Sequence, residues 1–214
     1  MNPIGIFGGS FDPIHFGHLQ TAFVIKQVLN FDEVCFIPVG IPPHRESPIA
    51  EAKLRLEMVQ IAIKDQHGFT FDDREIIKKE PSYSVNTLKE FRQENPLRSI
   101  CMILGMDTFL SLPEWYKWAE ILEFCHIIVA NRPGWRVPDV GIIGDLVSKR
   151  NTNCIQDLHN ENFGRIYFHD VFQLQISSSD IRKLLGIGCD PCFLLPDSVL
   201  EIIKESRCYL NYKA

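Results

Sequence analysis

Four short stretches of this sequence concentrate the residue types that handle phosphate and heteroaromatic groups. The first reads Gly8-Gly9-Ser10-Phe11-Asp12-Pro13-Ile14-His15-Phe16-Gly17-His18, between an apolar run and a helix-length amphipathic segment. Glycines let a backbone approach a phosphate closely, and the free N–H groups and positive dipole end of a helix start attract anions. His15 and His18 stand three apart, so in a first helical turn both project from one side. Two imidazoles there can donate hydrogen bonds to phosphate oxygens whose charge grows during phosphoryl or nucleotidyl transfer. The stretch is not a Walker loop, because no Gly-Lys-Ser/Thr follows, and it is not the Gly-x-Gly-x-x-Gly of dinucleotide folds.

The second stretch, Pro38-Val39-Gly40-Ile41-Pro42-Pro43-His44-Arg45, is stiffened by proline and offers His44 and Arg45 as positive donors. Alone it reads equally well as a solvated basic turn. The third is Gly105-Met106-Asp107, followed by Pro113-Glu114-Trp115-Tyr116. A carboxylate at a strand end can accept from a ribose or base, and an indole can stack on a heteroaromatic ring, although Trp115 also suits a core. The fourth, Ile176-Ser177-Ser178-Ser179-Asp180-Ile181-Arg182, has serines suited to capping a helix, with Arg182 one turn inside and in reach of the same anion.

The elements that must position these stretches are legible as an alternation. Short apolar runs at Ile4–Phe7, Val34–Val39, Phe69–Phe71, Ile100–Leu104, Ile127–Ala130 and Ile166–Phe168 alternate with helix-length amphipathic segments. That is the pattern of βαβ units around a parallel sheet. Leu19, Ala22, Ile25 and Leu29 fall on one helical face, as do Leu54, Met58 and Ile61 within Glu51–Lys64. A further helix over Ser84–Glu94 ends at Asn95-Pro96, and Ser198 with Glu201 has the spacing of a capping box before a helix over Val199–Ser206. Between Arg132 and Gly164, prolines, glycines and a polar Asn-Thr-Asn run suggest one helix near Ile142–Lys149 and a loop. In such sheets ligands bind at the carboxyl ends of the strands, where all four stretches fall. No repeat or Pro/Gly/Ser-rich linker divides the chain, so the expectation is one domain over residues 1–214.

With 214 residues, 45% of them hydrophobic, the chain can bury a substantial core. A net charge of −5 lacks the broad cationic surface that nucleic acid demands, so any phosphate must be held locally. No stretch approaches the roughly 20 apolar residues of a membrane span, and Met1-Asn2-Pro3-Ile4-Gly5 lacks the charged-then-apolar pattern expected of a secretion signal. Seven cysteines suit a reducing cytosol better than a disulfide framework. Cys189 and Cys192 have metal-like spacing, but no second pair of ligands stands nearby, and they read as two reduced thiols. The expected location is cytoplasmic, with no membrane or nucleic-acid partner.

His15-Phe16-Gly17-His18 and Ile176-Ser177-Ser178 with Arg182 resemble the paired elements, His-x-Gly-His and Ile-Ser-Ser-x-x-x-Arg, of a nucleotidyltransferase superfamily. Within it, Gly8 to Pro13, Pro42-Pro43-His44-Arg45, Pro81-Ser82-Tyr83-Ser84, Thr87-Leu88, Gly105-Met106-Asp107, Trp115-Tyr116 and Arg132-Pro133-Gly134 resemble the bacterial nicotinate mononucleotide adenylyltransferases, in order and over almost the whole chain. The resemblance implies an α/β fold of nucleotidyltransferase type, a Rossmann-like parallel sheet with helices on both faces. It implies ATP with Mg2+ as co-substrate and in-line attack by the mononucleotide phosphate on the α-phosphorus, without a covalent intermediate. His15, His18 and Arg182 would be catalytic. ATP would meet Gly8, Gly9, Ser10, Phe11, His15, His18, Ser178 and Arg182 through its phosphates, and Gly105 and Asp107 through its adenosine. Nicotinate mononucleotide would meet His44, Arg45, Tyr83, Ser84, Trp115, Tyr116 and Arg132, with the ring on Trp115 and its carboxylate at Ser84. No protein residue is assigned to the metal, and a homo-oligomer stays open. One departure is Val39-Gly40, where many relatives carry a polar residue, often asparagine. Enzymes of the same superfamily acting on phosphopantetheine, cytidine nucleotides or the amide mononucleotide would share the phosphate elements without needing Ser84 and Trp115. A non-catalytic nucleotide-binding regulator would need affinity but not transition-state donors.

Overall fold

Isoleucine-, valine- and phenylalanine-rich runs bounded by polar turns form strands that are apolar on both faces, as a parallel sheet covered by helices requires. The computed structural model describes residues 2–43, 47–131, 138–172, 174–210 and 212. The strands are β1 (Ile4–Gly9), β2 (Glu33–Pro38), β3 (Phe69–Phe71), β4 (Ile100–Gly105), β5 (His126–Asn131) and β6 (Ile166–Asp170). They form one six-stranded sheet in the order β3-β2-β1-β4-β5-β6, with every pairing parallel. The order reverses between β1 and β4, which opens a crevice at their carboxyl ends, the usual ligand position in open α/β sheets.

The helices are α1 (Phe16–Val28), α2 (Ala52–Ile63), α3 (Arg74–Ile77), α4 (Ser84–Glu94), α5 (Met106–Leu110), α6 (Gly141–Arg150), α7 (Ile155–Asn160), α8 (Ser178–Gly186) and α9 (Asp197–Ser206). Two short 3-10 turns, Leu112–Glu114 and Trp118–Glu123, follow α5. Successive strand residues point to opposite faces, so the sheet separates two cores. Val34, Phe36, Ile103 and Ile128 meet Ala22 and Ile25 of α1, Met58 and Val59 of α2, Ile181 of α8 and Val199 and Ile203 of α9. Ile6, Ile37, Met102, Leu104, Ile127 and Val129 meet Val85, Leu88 and Phe91 of α4, Phe109 of α5 and Ile143 of α6 on the other side. Helices thus cover both faces, as expected.

Several boundaries differ from the sequence reading. Gly8 and Gly9 belong to β1 and not to the turn, because they continue the parallel register opposite Ile37 and Pro38. Helix α9 starts at Asp197 with Pro196 before it, so Ser198 lies inside the helix and the expected capping box does not form. The polar segment after α6 is not all loop. Thr152 accepts from the Cys154 N–H and donates to Asp157, which nucleates α7 and buries Leu158. Among the described residues no helix is long and apolar enough to cross a membrane.

Candidate active site

The chain leaves β1 through Phe11, whose φ of 47° lies in the left-handed region that side chains seldom occupy. Complete burial of the Phe11 ring holds it there, edge-on to Phe7 at 5.9 Å and to His18 at 5.1 Å. Of Phe11, only the backbone can therefore face a ligand. A Cβ on Gly8 would meet no atom within 4 Å, so the strand end opens onto free space. His15 is the residue before α1 and His18 lies in its first turn, and their rings stack with centroids 3.7 Å apart. Gly17 permits this, since a Cβ there would stand 3.0 Å from the His15 ring. One helix-start donor is already used: the Phe16 N–H donates to the Leu194 carbonyl at 3.0 Å.

Burial holds the His15 imidazole down at about 4 and drags His18 well below 6.5, with the charge of His15 a further cause for His18. Both rings are therefore neutral at pH 7. The late motif arrives beside them. Ser177 caps α8 by accepting from the Asp180 N–H, Ser178 donates to the Pro13 carbonyl at 2.9 Å, and Arg182 donates to the Asp12 carbonyl at 2.6 Å. Among the described residues, four buried side-chain nitrogen or oxygen atoms lack a hydrogen-bond partner. Three of the four are His15 Nδ1, His18 Nδ1 and Arg182 Nε. Buried polar atoms are nearly always paired, so their grouping at one strand end singles it out as the candidate ligand site.

The second turn is stitched to the first and to α4. Val39 donates to the Gly9 carbonyl at 2.9 Å, Gly40 to Ser82 Oγ at 3.1 Å, and Ser82 to the Ile41 carbonyl at 2.8 Å. A Cβ on Gly40 would stand 1.9 Å from the Glu75 carbonyl oxygen, so this position contributes backbone and no side chain. Beneath it Glu75 is buried and accepts from Thr87 at 2.6 Å, and burial pushes its carboxyl up. Pro81–Ser82 thereby brings Tyr83 and Ser84, at the start of α4, next to the second turn. The Tyr83 ring lies 4.5 Å from that of Tyr116, which joins this group to the segment after α5. Trp115 packs against the α4-side core and remains partly exposed. Asp107, in the first turn of α5, lies over Gly105, where a Cβ would meet its Oδ1 at 2.8 Å. His44, Arg45 and Arg132 lie outside the described residues. Among the described residues no group of three or more His, Cys, Asp or Glu side chains could hold a metal ion.

A sequence model of the cytidylyltransferase-like family matches residues 6–184. A protein of Psychromonas ingrahamii named probable nicotinate-nucleotide adenylyltransferase is 45% identical over 206 residues, 96% of each chain. The chain belongs to the nicotinate-nucleotide adenylyltransferase family. An Aeromonas hydrophila protein of the same name is 40% identical over 97% of each chain. Plasmodium falciparum nicotinic acid mononucleotide adenylyltransferase, solved in complex with NaAD, superposes with a TM-score of 0.72 at 20% identity over 98% of both chains, which shows a common fold.

In this nicotinate-nucleotide adenylyltransferase-family chain, three residues that sequence reasoning gave no role hold the site together. Arg55 of α2 is buried and donates to the carbonyls of Ser10 at 2.7 Å, Val39 at 2.6 Å and Ala50 at 3.1 Å. Burial lowers its pKa and the nearby Asp12 opposes that, so the guanidinium serves as a charged staple between the first two turns. Asp12 in turn accepts from the Ile49 and Ala50 N–H groups and from the Tyr209 hydroxyl. The signal for Arg55 was present, since it shares the buried stripe of Met58 and Val59 at steps of three and four. Nothing local to Tyr209 could have revealed a partner 197 residues away.

Proposed function

We propose that this chain transfers the adenylyl group of ATP to nicotinate mononucleotide, giving nicotinate adenine dinucleotide and pyrophosphate. One observation carries the reading: the unpartnered, buried His15 Nδ1, His18 Nδ1 and Arg182 Nε gather where Gly8 leaves the strand end open. That site suits a triphosphate, which offers only acceptors. The family relation and the full-length match to its members support the same reaction.

In this reading an oxygen of the mononucleotide phosphate forms a bond to the α-phosphorus of ATP as the bond to the bridging oxygen breaks, and pyrophosphate leaves with that electron pair. The Ser10 and Phe11 backbone, Ser178 and Arg182 hold the phosphates. The neutral imidazoles donate to oxygens that gain charge in the transition state, where fixed donors are worth most. Asp107 and the Gly105 backbone face the adenosine. Trp115 and Tyr116 flank the nicotinate ring, and Ser84 with backbone amides meets its carboxylate; the family resemblance also assigns His44, Arg45 and Arg132 to the mononucleotide. The Asp12 carboxylate is already engaged by three donors, and the remaining described residues form no cage for a cation. No residue is assigned to magnesium, which would enter on the phosphates of ATP and would there offset negative charge.

Pyrophosphate release from MgATP is the test, with nicotinate mononucleotide, nicotinamide mononucleotide and phosphopantetheine each supplied as acceptor. Rapid release with the nicotinate substrate supports the proposal. Release confined to another acceptor, or none with any, sinks it.

A further inference from the structure

Beyond α9 the chain returns to the first turn. Tyr209 is fully buried and donates its hydroxyl to Asp12 Oδ1 at 2.6 Å. Tyr212, whose N–H donates to the Tyr209 carbonyl at 3.1 Å, sets its ring 5.1 Å from the Arg182 guanidinium carbon. Its carbonyl oxygen lies 2.2 Å from where a Gly186 Cβ would stand, so the end of α8 accepts this segment only because it carries a glycine there. Arg182 is thus bounded by the Asp12 carbonyl, by Ser179 Oγ at 3.2 Å and by the Tyr212 ring, while its Nε stays without a partner.

We propose that Tyr209 and Tyr212 are positioning residues that hold Arg182 ready for the triphosphate, a role that rests on the adenylyl-transfer reading above. The two act differently. An aromatic face attracts a guanidinium without taking up its N–H donors, so Tyr212 restrains the group and leaves its edge free for an anion. Asp12 is a potential competitor, with Oδ2 3.5 Å from Arg182 Nη1. Its carboxylate is kept from closing on Arg182 as a two-pronged pair because the Ile49 and Ala50 N–H groups and the Tyr209 hydroxyl hold it. Burial beside Asp12 pushes the Tyr209 phenol far up, so it remains a donor at any working pH. Loss of that hydroxyl leaves Oδ1 held by the Ala50 N–H alone, so the carboxylate is less firmly held and competes better with ATP for the arginine.

The experiment varies ATP and nicotinate mononucleotide separately for the wild type, Tyr212→Ala, Tyr212→Phe and Tyr209→Phe, and measures MgATP binding by calorimetry without the second substrate. Tyr212→Ala should raise the KM and Kd for ATP about three- to tenfold and leave the KM for the mononucleotide within about twofold, and Tyr212→Phe should restore both. Tyr209→Phe should raise the ATP constants in the same direction. In an Arg182→Lys background the Tyr212→Ala effect should shrink below about twofold, because the two residues share one interaction. Unchanged ATP constants in Tyr212→Ala overturn the proposal, as does an equal loss for both substrates or a full effect that persists in Arg182→Lys. If Tyr209→Phe fails to fold, the Tyr212 pair decides. A wild type that binds MgATP yet makes no dinucleotide sinks the reaction reading alone, and the ATP Kd values then still decide the role of the tyrosines.

Discussion

Acidification should unfold this protein through its two stacked histidines. In an unfolded chain each imidazole titrates near 6.5, whereas in the folded chain burial holds His15 at about 4 and His18 well below 6.5. Between those values the unfolded chain binds more protons than the folded one. The stabilisation is therefore complete above pH 6.5 and is lost as pH falls toward and through 4. For His15 alone, a depression from 6.5 to about 4 is worth ~3 kcal/mol at completion and ~2 kcal/mol by about pH 5. Urea unfolding of the wild type and His15→Asn, which cannot titrate, reads this directly. Between about pH 7.5 and about pH 5 the variant should lose ~2 kcal/mol less than the wild type. Equal losses in the two proteins would refute the argument that His15 is buried in its neutral form. A triphosphate beside the rings favours their charged forms, so MgATP binding at about pH 5, nearer the His15 value of about 4, should take up protons. Calorimetry in two buffers of different ionisation enthalpy measures that uptake, and buffer-independent heats count against triphosphate contact with the pair.

His18→Ala should fold normally and lower turnover by roughly 10² to 10³, the usual effect of losing one fixed transition-state donor; steady-state rates near those of the wild type would remove His18 from the mechanism. Trp115→Ala should weaken nicotinate mononucleotide by ~1 to 3 kcal/mol and spare ATP, judged by separate KM values. Ser84→Ala should narrow the gap in kcat/KM between the acid and amide mononucleotides, since an amide NH2 aimed at donors leaves groups unpaired at a cost of about 1 to 3 kcal/mol. Gly40→Ala should lower stability by ~1 to 3 kcal/mol, because its Cβ would stand 1.9 Å from the Glu75 carbonyl and one of the two backbones must shift. Thermal unfolding checks this, and an unchanged Tm would mean that the turn yields without cost.

The sheet was legible because its strands are buried on both faces and read as continuous apolar runs. The face of α1 was legible because Leu19, Ala22 and Ile25 repeat at helical steps. The proposed phosphate elements stood out for a different reason, since glycine, histidine and serine cluster at strand ends where a core needs none of them. What escaped was decided by long-range geometry. The Ser198–Glu201 spacing suited a cap, but Pro196 sets the entry to α9 and the helix begins earlier. Helix α7 depends on one threonine hydroxyl in a segment whose polarity suggests a loop. The roles of Arg55, Asp12 and Tyr209 exist only once α2 and the chain end are folded against the first turn.

The Arg55 staple has a kinetic meaning. By donating to the carbonyls of Ser10 and Val39, it fixes the mouths of β1 and β2 relative to each other before any ligand arrives. If each mouth carries one substrate, two mobile phosphate esters meet on a frame whose spacing was set when the chain folded. Encounter then resembles an intramolecular reaction, in which well-oriented partners reach effective concentrations of roughly 10⁵ M or more. The conformational entropy of alignment is then lost once in folding and not at every turnover, so a buried guanidinium bonded to backbone carbonyls would govern how often two substrates react.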